Sequence, residues 1–346
     1  MTAPDLDAHV RHIIQHHFSP ETGTPFWLRW EETQGWSPRD HIHGFADLHR
    51  MGHFDKAALR DAPHSDWTPM ACVGRPFHVF ETGGTTGMPT QRLSWDDHRI
   101  DYEHFSDRLP ADVFPHHANW LILGPTGPRR LRLTMEHLAH HRGGCAYHVD
   151  LDPRWVRKCA EDGRHGVVAS YREHVVDQAV TLLENRAITC IFTTPPLLEA
   201  LGQRISLTHR GLRGILLGGT SMTPQVLRFL SEEVLDGIPI VPVYGNTLMG
   251  LAASAPISAD NGYEAVYHAP QPRAVLRIVD EAGELVPHGS RGRVELTTLT
   301  EELFLPRLLE RDDAIRRPAT ADCPWDGVAD VRPLANADGP ATEGVY

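Results

Sequence analysis

The sequence predicts an α/β protein with mixed sheets and a small β-rich subdomain. From about residue 117, short apolar runs alternate with stretches of helical period, which is typical of α/β folds. After residue 270 the segments become strand-like and are separated by turn residues. We therefore expect three parts: an N-terminal helical and irregular segment packed on the main domain (1–70), an α/β core (71–270), and a β-rich subdomain with the C-terminal tail (271–346).

The first part and the α/β core contain recognisable helices. Residues 5–17 predict a helix because Leu6, Val10 and Ile14 recur close to helical period. Further helices are predicted at 133–141 and 171–184. Another helix is expected after Thr223 and Pro224, since threonine is a good N-cap and proline suits the first turn.

Four apolar runs in the core predict strands. They lie at 120–123, 188–192, 215–217 and 238–244. The last run is interrupted by Pro239 and Pro242, which cannot donate a backbone hydrogen bond, so we expect an edge strand or a bulge there.

The β-rich part begins with a hairpin signal. Strand-like residues at 274–279 and 284–286 flank Glu281, Ala282 and Gly283, a combination that favours a tight turn. Another strand is predicted at 293–298.

Composition excludes several classes of protein. The chain has 346 residues and a net charge of −12, without a block of lysine or arginine, so we expect no nucleic-acid partner. No apolar run approaches the ~18 residues that span a bilayer, and the N-terminus lacks the layout of a secretory signal. We therefore expect a cytoplasmic protein without a membrane partner. Its five scattered cysteines predict reduced thiols.

Histidine is abundant, with 23 residues. His137 and His141 are four positions apart, a spacing that is able to bind a metal, but no H-E-x-x-H motif accompanies them. We interpret the histidines as solvated surface residues and predict no metal site.

A run of glycine and threonine follows the apolar residues that end at Phe80. It comprises Thr82, Gly83, Gly84, Thr85, Thr86 and Gly87. Glycines allow close approach to a ligand, and hydroxyls together with freed N–H groups form a concave set of donors that suits polyphosphate oxygens. An ordinary hairpin connection is the alternative. The other common phosphate loop is excluded because no Gly-Lys-Ser/Thr sequence follows.

The order Thr-Gly-Gly-Thr-Thr-Gly-x-Pro resembles the phosphate loop of the adenylate-forming superfamily, which includes acyl-CoA synthetases, luciferases and the adenylation domains of peptide synthetases. Thr90 after the loop proline is similar to the phenylacetate-CoA-ligase-like branch. More closely still, the chain resembles the short stand-alone adenylation proteins of phenazine-antibiotic biosynthesis. The resemblance covers about residues 70–332. It implies the large N-terminal domain of the adenylate-forming fold.

Two further segments follow in the order of that superfamily. Gly218, Gly219 and Thr220 come after a predicted strand and resemble the Gly-rich segment that lines the adenine and acyl pocket. Such a sequence is also common at ordinary strand ends. The second segment comprises Tyr244, Gly245, Asn246 and Thr247 and resembles the Y-G-x-T motif.

The resemblance implies roles for three of the later residues. Tyr244 would stack near the adenine, and Thr247 would face the α-phosphate. Asp312 resembles the late aspartate that binds both ribose hydroxyls, since each carboxylate oxygen accepts one donor. A plain core aromatic at Tyr244 and a solvated surface ion pair at Asp312 are the alternatives.

Three features depart from the superfamily pattern. Leu248 stands where most members have a Mg²⁺-binding glutamate, so Mg²⁺ is expected to arrive bound to ATP. Thr90 stands where many members have a lysine, and Arg92 is the cation that we expect to replace it. Only 16 residues follow Asp330, too few for a domain of about 50 residues. We therefore expect the C-terminal lid domain, with its catalytic lysine, to be absent.

The resemblance implies ATP-dependent activation of an aromatic carboxylic acid as an acyl-adenylate, with release of pyrophosphate; AMP is the nucleotide in the product. The helix at 133–141 would form a wall of the acid pocket, with His137 as a candidate partner of the carboxylate. An acceptor enzyme, a carrier protein or a free nucleophile would take the acyl group. Two alternatives remain: a non-catalytic binder of an aromatic acid or nucleotide, and an acyl-CoA ligase whose C-terminal domain comes from another chain.

Overall fold

The computed structural model describes residues 5–82, 89–128 and 130–334, apart from the side chain of His209. Within these residues the strands form sheets of two, six and five strands. This arrangement confirms the predicted α/β class with mixed sheets and a β-rich part. None of the helices in the described part combines the length and the apolar character needed to cross a membrane.

The N-terminal part is helical and packs on the β-rich part. Its helices are α1 (Leu6–His17), α2 (Pro25–Gln34), α3 (Pro38–His41), α4 (Ala58–Asp61) and α5 (His64–Trp67). The side chain of Asp5 caps α1, as is common for aspartate. Val10 and Ile14 of α1 are buried in one cluster with Phe304, which belongs to the β-rich part. The predicted first helix is therefore confirmed.

His17 ends α1 in a fully buried position that suits a neutral ring. Its Nε2 lies 2.7 Å from the carbonyl oxygen of Thr300, and its Nδ1 lies 2.7 Å from Oγ1 of Thr24. A carbonyl only accepts, so Nε2–H donates to Thr300 and Nδ1 accepts from the Thr24 hydroxyl. Burial lowers the pKa of His17 to about 3.

We expect the stability to decrease as the pH falls below about 6.5, the usual histidine pKa. Between this value and about 3, the unfolded chain binds a proton at His17 that the folded chain does not. The contribution of His17 is therefore complete above pH ~6.5 and is lost on acidification, by at most ~1.4 kcal/mol per pH unit. Urea unfolding across this range should give a shallower pH dependence for His17→Gln than for the wild type. Equal slopes would contradict the prediction.

A short hairpin precedes the central sheet. Strands β1 (His78–Glu81) and β2 (Gln91–Ser94) pair antiparallel and flank the glycine and threonine run in the chain. Helix α6 (Asp97–Asp107) follows. The buried carboxylate of Glu302 accepts the N–H groups of Trp95 and Asp97, both at 2.9 Å, and so fixes the start of α6 against the β-rich part.

The central sheet has the order β4-β3-β5-β6-β7-β8. Its strands are β3 (Trp120–Leu123), β4 (Ala146–His148), β5 (Cys190–Thr193), β6 (Gly214–Leu217), β7 (Ile240–Asn246) and β8 (Gly250–Ala253). All neighbours are parallel except β7 and β8. Strands β3, β5 and β6 are buried along their whole length, as expected for strands covered on both faces. The four predicted core strands are confirmed.

The three helices predicted for the core are present around this sheet, together with two that the sequence patterns did not indicate. They are α7 (Arg130–His141), α8 (Pro153–Glu161), α9 (His165–Asn185), α10 (Pro195–Arg204) and α11 (Pro224–Phe229), which continues as a π-helix at Leu230–Val234. The Thr223 side chain caps α11 as predicted. Helix α7 begins three residues earlier than the pattern indicated, because Arg130 is held there by contacts with α6.

The two prolines near β7 do not mark a sheet edge or a strand-ending bulge. Strand β7 lies between β6 and β8, and Pro239 precedes it. The carbonyl of Pro242 accepts from Ser254 N. The N–H and C=O of one strand residue point to the same side, so the missing donor of Pro242 faces β8. On that side, the pairing of β7 with β8 begins only at Val243 and Ala253. Pro242 lies just outside these paired residues, so a proline is tolerated at this position inside the sheet.

The β-rich part is an antiparallel sheet with the order β10-β11-β12-β13-β9. Its strands are β9 (Val266–Tyr267), β10 (Ala274–Val279), β11 (Arg291–Leu299), β12 (Phe304–Arg317) and β13 (Gly327–Pro333). The predicted turn is present, with Gly283 N bonded to Asp280 O at 3.0 Å. The predicted strand at 284–286 is wrong, because that segment makes only an isolated bridge from Leu285 to Val279.

Candidate functional site

Two neighbouring cavities open at the carboxyl ends of β5, β6 and β7. Parallel strands bring their carboxyl ends to one edge of a sheet, where α/β proteins commonly bind ligands. Gly219, Val243 and Gly245 line both cavities, so the two spaces adjoin. We call them the tyrosine cavity and the arginine cavity.

The tyrosine cavity has a volume of about 200 Å³. Thr220, Tyr244, Tyr267 and Asp312 contribute to its lining. It therefore unites residues that the sequence analysis took from three separate segments: Gly219 and Thr220 after β6, Tyr244 and Gly245 in β7, and Asp312 in β12.

The arginine cavity has a volume of about 210 Å³. Much of its wall is apolar or aromatic, with contributions from Tyr102, Leu131 and Phe192. Arg130 and Thr247 add polar groups, and Asn246 also lines it. The first turn of α7 thus forms part of the wall, whereas the sequence analysis expected the wall farther along this helix.

A larger groove of about 690 Å³ lies elsewhere, on the β-rich sheet. Val275, Arg277 and Arg307 are among its lining residues. None of the predicted site residues lines it, and it is remote from the carboxyl ends of the parallel strands. Its size alone does not make it the candidate site.

Tyr244 and Asp312 are joined directly. The Tyr244 hydroxyl donates to Oδ2 of Asp312 at 2.7 Å. Burial, reinforced by the neighbouring carboxylates of Asp312 and Glu310, raises the pKa of Tyr244 well above its ordinary value. The phenol therefore stays protonated and orients the carboxylate. The alternative of a solvated surface pair at Asp312 does not fit a position in the cavity wall.

Gly218 is buried just before the cavity and is required by close packing. A Cβ atom at this position would lie 2.7 Å from Cγ2 and 3.0 Å from the carbonyl oxygen of Val243. Gly218 thus permits the ends of β6 and β7 to approach each other, while Gly219 lines both cavities.

Asn246 organises the turn that carries Thr247. Its Oδ1 accepts the N–H groups of Leu248 and Met249, both at 2.9 Å, and its Nδ2 donates to Glu310 at 2.9 Å. This side-chain turn places Thr247 in the wall of the arginine cavity.

The position after Thr247 offers no ligand to a metal ion. Leu248 is 1% exposed and belongs to the main hydrophobic core. The nearby carboxylates are already engaged, Glu310 by Lys56 and Asn246, and Asp312 by Tyr244.

Arg92 does not face either cavity, contrary to the prediction. It is 1% exposed and pairs with Asp97 at 2.6 Å. Its Nη1 donates to the carbonyl of Leu248 at 2.6 Å. Because β2 directs this side chain into the interior, Arg92 supports the turn around Thr247 instead of offering a charge to phosphates.

Only one end of the predicted phosphate loop is described. Thr82 N donates to Thr90 O at 3.0 Å, and Thr90 N donates to Thr82 Oγ1 at 3.0 Å. These bonds close the base of the loop. The predicted residues between them, Gly83, Gly84, Thr85, Thr86 and Gly87, lie outside the described residues.

His137 is not in the arginine cavity, contrary to the prediction. It lies about two turns beyond Arg130 on α7, and its Nε2 is 2.8 Å from Oε1 of Glu103 on α6. The ligand atoms of Glu103, His137 and His141 all lie within 4.8 Å of one another, close enough to share a metal ion. This cluster lies between α6 and α7, outside the lining of both cavities.

Arg130 is the cavity residue that the sequence analysis missed. Its Nη2 donates to Asp101 Oδ2 and to the carbonyl of Asp97. Its position after β3, at the carboxyl edge of the sheet, was the available signal. The predicted helix began at residue 133, which left Arg130 in an unassigned loop.

The ion pairs around Arg130 form a buried network. Arg273 bonds Asp97 and Asp101, each at 2.6 Å. Burial favours the neutral form of Asp101, but the guanidinium groups of Arg130 and Arg273 outweigh it, and the pKa of Asp101 lies below its usual value. The ion pair and the hydrogen bond of Arg130 join α7 to α6 at the mouth of the cavity.

Comparisons with known proteins agree with this arrangement. Residues 163–298 match the family described as AMP-binding enzymes. A 2-hydroxyisobutyryl-CoA ligase, solved in an open conformation with 2-HIB-AMP and coenzyme A, superposes with a TM-score of 0.72 at 15% identity, covering 96% of this chain and 69% of the ligase. No protein with a curated function matches the chain in sequence.

Two other solved structures share part of the fold. Mycobacterium smegmatis MbtA matches with a TM-score of 0.51 at 18% identity, over 74% of this chain and 45% of that protein. The O-succinylbenzoate coenzyme A synthetase MenE from Bacillus subtilis, solved with ATP and magnesium, gives 0.50 at 15% identity, over 73% and 49%. The chain is thus similar to AMP-binding enzymes over residues 163–298, and it shares its fold with the solved 2-hydroxyisobutyryl-CoA ligase.

Proposed function

We propose that the protein activates an aromatic carboxylic acid with ATP, giving an acyl-adenylate and pyrophosphate. One observation carries this proposal: the tyrosine cavity and the arginine cavity adjoin at Gly219, Val243 and Gly245. A nucleotide in the first and an acid in the second would meet beside Thr247. The similarity to AMP-binding enzymes over residues 163–298 supports the choice of ATP as co-substrate.

The nucleotide would occupy the tyrosine cavity. Its adenine would lie against Tyr244 and the segment from Gly218 to Thr220, and its ribose hydroxyls would donate to Asp312. Gly245 and Asn246 would border the α-phosphate, which Thr247 faces. The β- and γ-phosphates would bind the loop, through Thr82, Gly83, Gly84, Thr85, Thr86 and Gly87.

The acid would occupy the arginine cavity. The aromatic rings of Tyr102 and Phe192 and the side chain of Leu131 favour a flat apolar body. We propose an aromatic acid of a natural-product pathway of the phenazine-antibiotic type, acting in the cytoplasm. The acyl group then passes to a free nucleophile or to another protein, such as an acceptor enzyme or a carrier.

The reaction forms one bond and breaks another. A carboxylate oxygen attacks the α-phosphorus, and the bond from that phosphorus to the oxygen bridging to the β-phosphate breaks. Pyrophosphate leaves with the electron pair. The protein contributes positioning and stabilisation of the developing charge, as in other phosphoryl transfers. Mg²⁺ would enter with ATP, because Leu248 offers it no carboxylate beside Thr247.

The decisive experiment is carboxylate-dependent exchange between ATP and radiolabelled pyrophosphate. A panel of aromatic acids, including phenazine carboxylates, is tested with and without Mg²⁺. We expect exchange that requires one acid of the panel. Asp313→Ala, a change outside both cavities, serves as the matched control and should exchange like the wild type.

Absence of exchange would overturn catalysis by this chain alone. Saturable binding of ATP or an acid in calorimetry would then favour a non-catalytic binder, which the apolar core position of Leu248 also supports. Exchange that appears only after adding the C-terminal domain of an acyl-CoA ligase would favour a ligase completed by another chain.

A further inference from the structure

Resting on the function proposed above, we propose that Arg130 binds the carboxylate of the acid substrate and holds it beside the phosphate loop. It thereby takes the place assigned from the sequence to His137. The proposal makes Arg130 the residue that selects acids over their neutral analogues.

The first argument is that Arg130 has unused hydrogen-bond donors in a buried position. Its side chain is 4% exposed. A guanidinium carries five N–H bonds, and Nη2 uses its two on Asp101 and the carbonyl of Asp97. Nε and both hydrogens of Nη1 have no hydrogen-bond partner among the described residues. Buried unpaired donors cost ~1–3 kcal/mol, so this position calls for an acceptor.

The unused donors lie close to the cavity wall. Arg130, Thr247 and Gly250 all line the arginine cavity. A Cβ atom built on Gly250 would lie 3.3 Å from Nη1 of Arg130. This nitrogen therefore lies beside Gly250, near the end of the cavity that is bounded by β8 and the Thr247 turn, and is shielded from water.

The chain just before Arg130 contacts the base of the predicted phosphate loop. Pro128, two residues before Arg130, accepts the N–H of Glu81 at 3.0 Å. The next residue, Thr82, is bonded to Thr90 at the base of the loop. A carboxylate on Arg130 would therefore lie near the base of the loop that is proposed to bind the phosphates.

Arg130 belongs to a buried network of charges. The guanidinium groups of Arg92, Arg130 and Arg273 pair with the carboxylates of Asp97 and Asp101, and the buried carboxylate of Glu302 also acts on Arg92. Burial would strengthen a hydrogen bond from Arg130 to a substrate carboxylate, because screening by water is weak there.

Calorimetry with Arg130→Gln tests the proposal. The probes are benzoate, phenazine-1-carboxylate and the neutral benzamide, with ATP titrated separately. Of the two carboxylates, we consider the one that the wild type binds more tightly. We expect the variant to bind it roughly 10- to 100-fold more weakly, the range for losing hydrogen bonds to a charged group. The affinities for ATP and benzamide should stay unchanged. Arg130→Lys should lose affinity less, since it keeps a charge near Asp101.

Arg142→Gln is the matched control. Arg142 is also buried, and its Nη1 bonds Ser106 away from both cavities. Its loss should affect stability without changing carboxylate affinity. Circular dichroism verifies folding; if Arg130→Gln does not fold, Arg130→Lys provides the comparison.

Three outcomes overturn the proposal: no preference of the wild type for carboxylates over benzamide, unchanged carboxylate affinity in the folded Arg130 variants, or an equal loss in Arg142→Gln. These outcomes are distinct from failure of the proposed function. A wild type that binds the carboxylate through Arg130 but gives no pyrophosphate exchange would overturn adenylation and support the role of Arg130.

Discussion

Replacing Asp312 with alanine should raise the KM for ATP by roughly 10- to 100-fold, the effect expected from hydrogen bonds to a charged group. Asp312 lies in the wall of the tyrosine cavity, and the Tyr244 hydroxyl orients it at 2.7 Å. The variant removes the acceptor proposed for the ribose and leaves the phenol without its partner. Initial rates of pyrophosphate exchange at varied ATP concentration measure the change.

Asp313→Ala is the matched control for this prediction. Successive residues of a strand point to opposite faces, and Asp313 pairs with Arg291 instead of lining the cavity. We expect it to leave the KM for ATP within about twofold, as is usual for an exposed ion pair. Equal effects of the two variants, or an unchanged KM in folded Asp312→Ala, would show that Asp312 does not bind the nucleotide.

Replacing Arg92 with alanine should lower the free energy of unfolding by about 3–5 kcal/mol, the usual cost of breaking a buried ion pair. The change removes a positive charge that pairs with the carboxylate of Asp97 and the donor that bonds the carbonyl of Leu248. Both groups lie in a region shielded from water. Urea denaturation followed by fluorescence gives the free energy. Some loss of activity should follow from loosening of the turn that carries Thr247.

Arg75→Ala provides the comparison for Arg92. Arg75 pairs with Asp96 at 2.5 Å, but its side chain is 49% exposed, so its loss should lower the stability much less than the loss of Arg92. A folded Arg92→Ala variant with unchanged stability and a raised KM for ATP would contradict the structural role. That result would restore Arg92 as a phosphate-binding residue.

Local sequence patterns predicted those parts of the structure that depend mainly on residues close together in the chain. The apolar run at β3 and the Thr223 cap of α11 are confirmed because burial of a strand and capping of a helix are short-range properties. The segment at 284–286 failed for a related reason. It pairs through one isolated bridge from Leu285 to Val279, flanked by the bonds from Asp280 N to Glu284 O and from Val286 N to Ile278 O, and this pairing is too short to form a strand.

Part of the site was also predictable from the chain. Gly219 and Tyr244 follow or end neighbouring parallel strands, so they had to meet at one edge of the sheet. The partnership of Tyr244 with Asp312 joins residues 68 positions apart. A family resemblance indicated both residues, but their hydrogen bond depends on how β12 packs against the end of β7.

The sequence by itself determined the fold class and the positions of four core strands along the chain. These follow from periodicity and from runs of apolar residues. Only the tertiary structure decided which cation faces the arginine cavity. Arg92 and Arg130 have the same charge, and each pairs with an aspartate of α6. The packing of β2 and α7 against that helix buries the first in the core and turns the second toward the cavity, and such packing depends on contacts between distant segments.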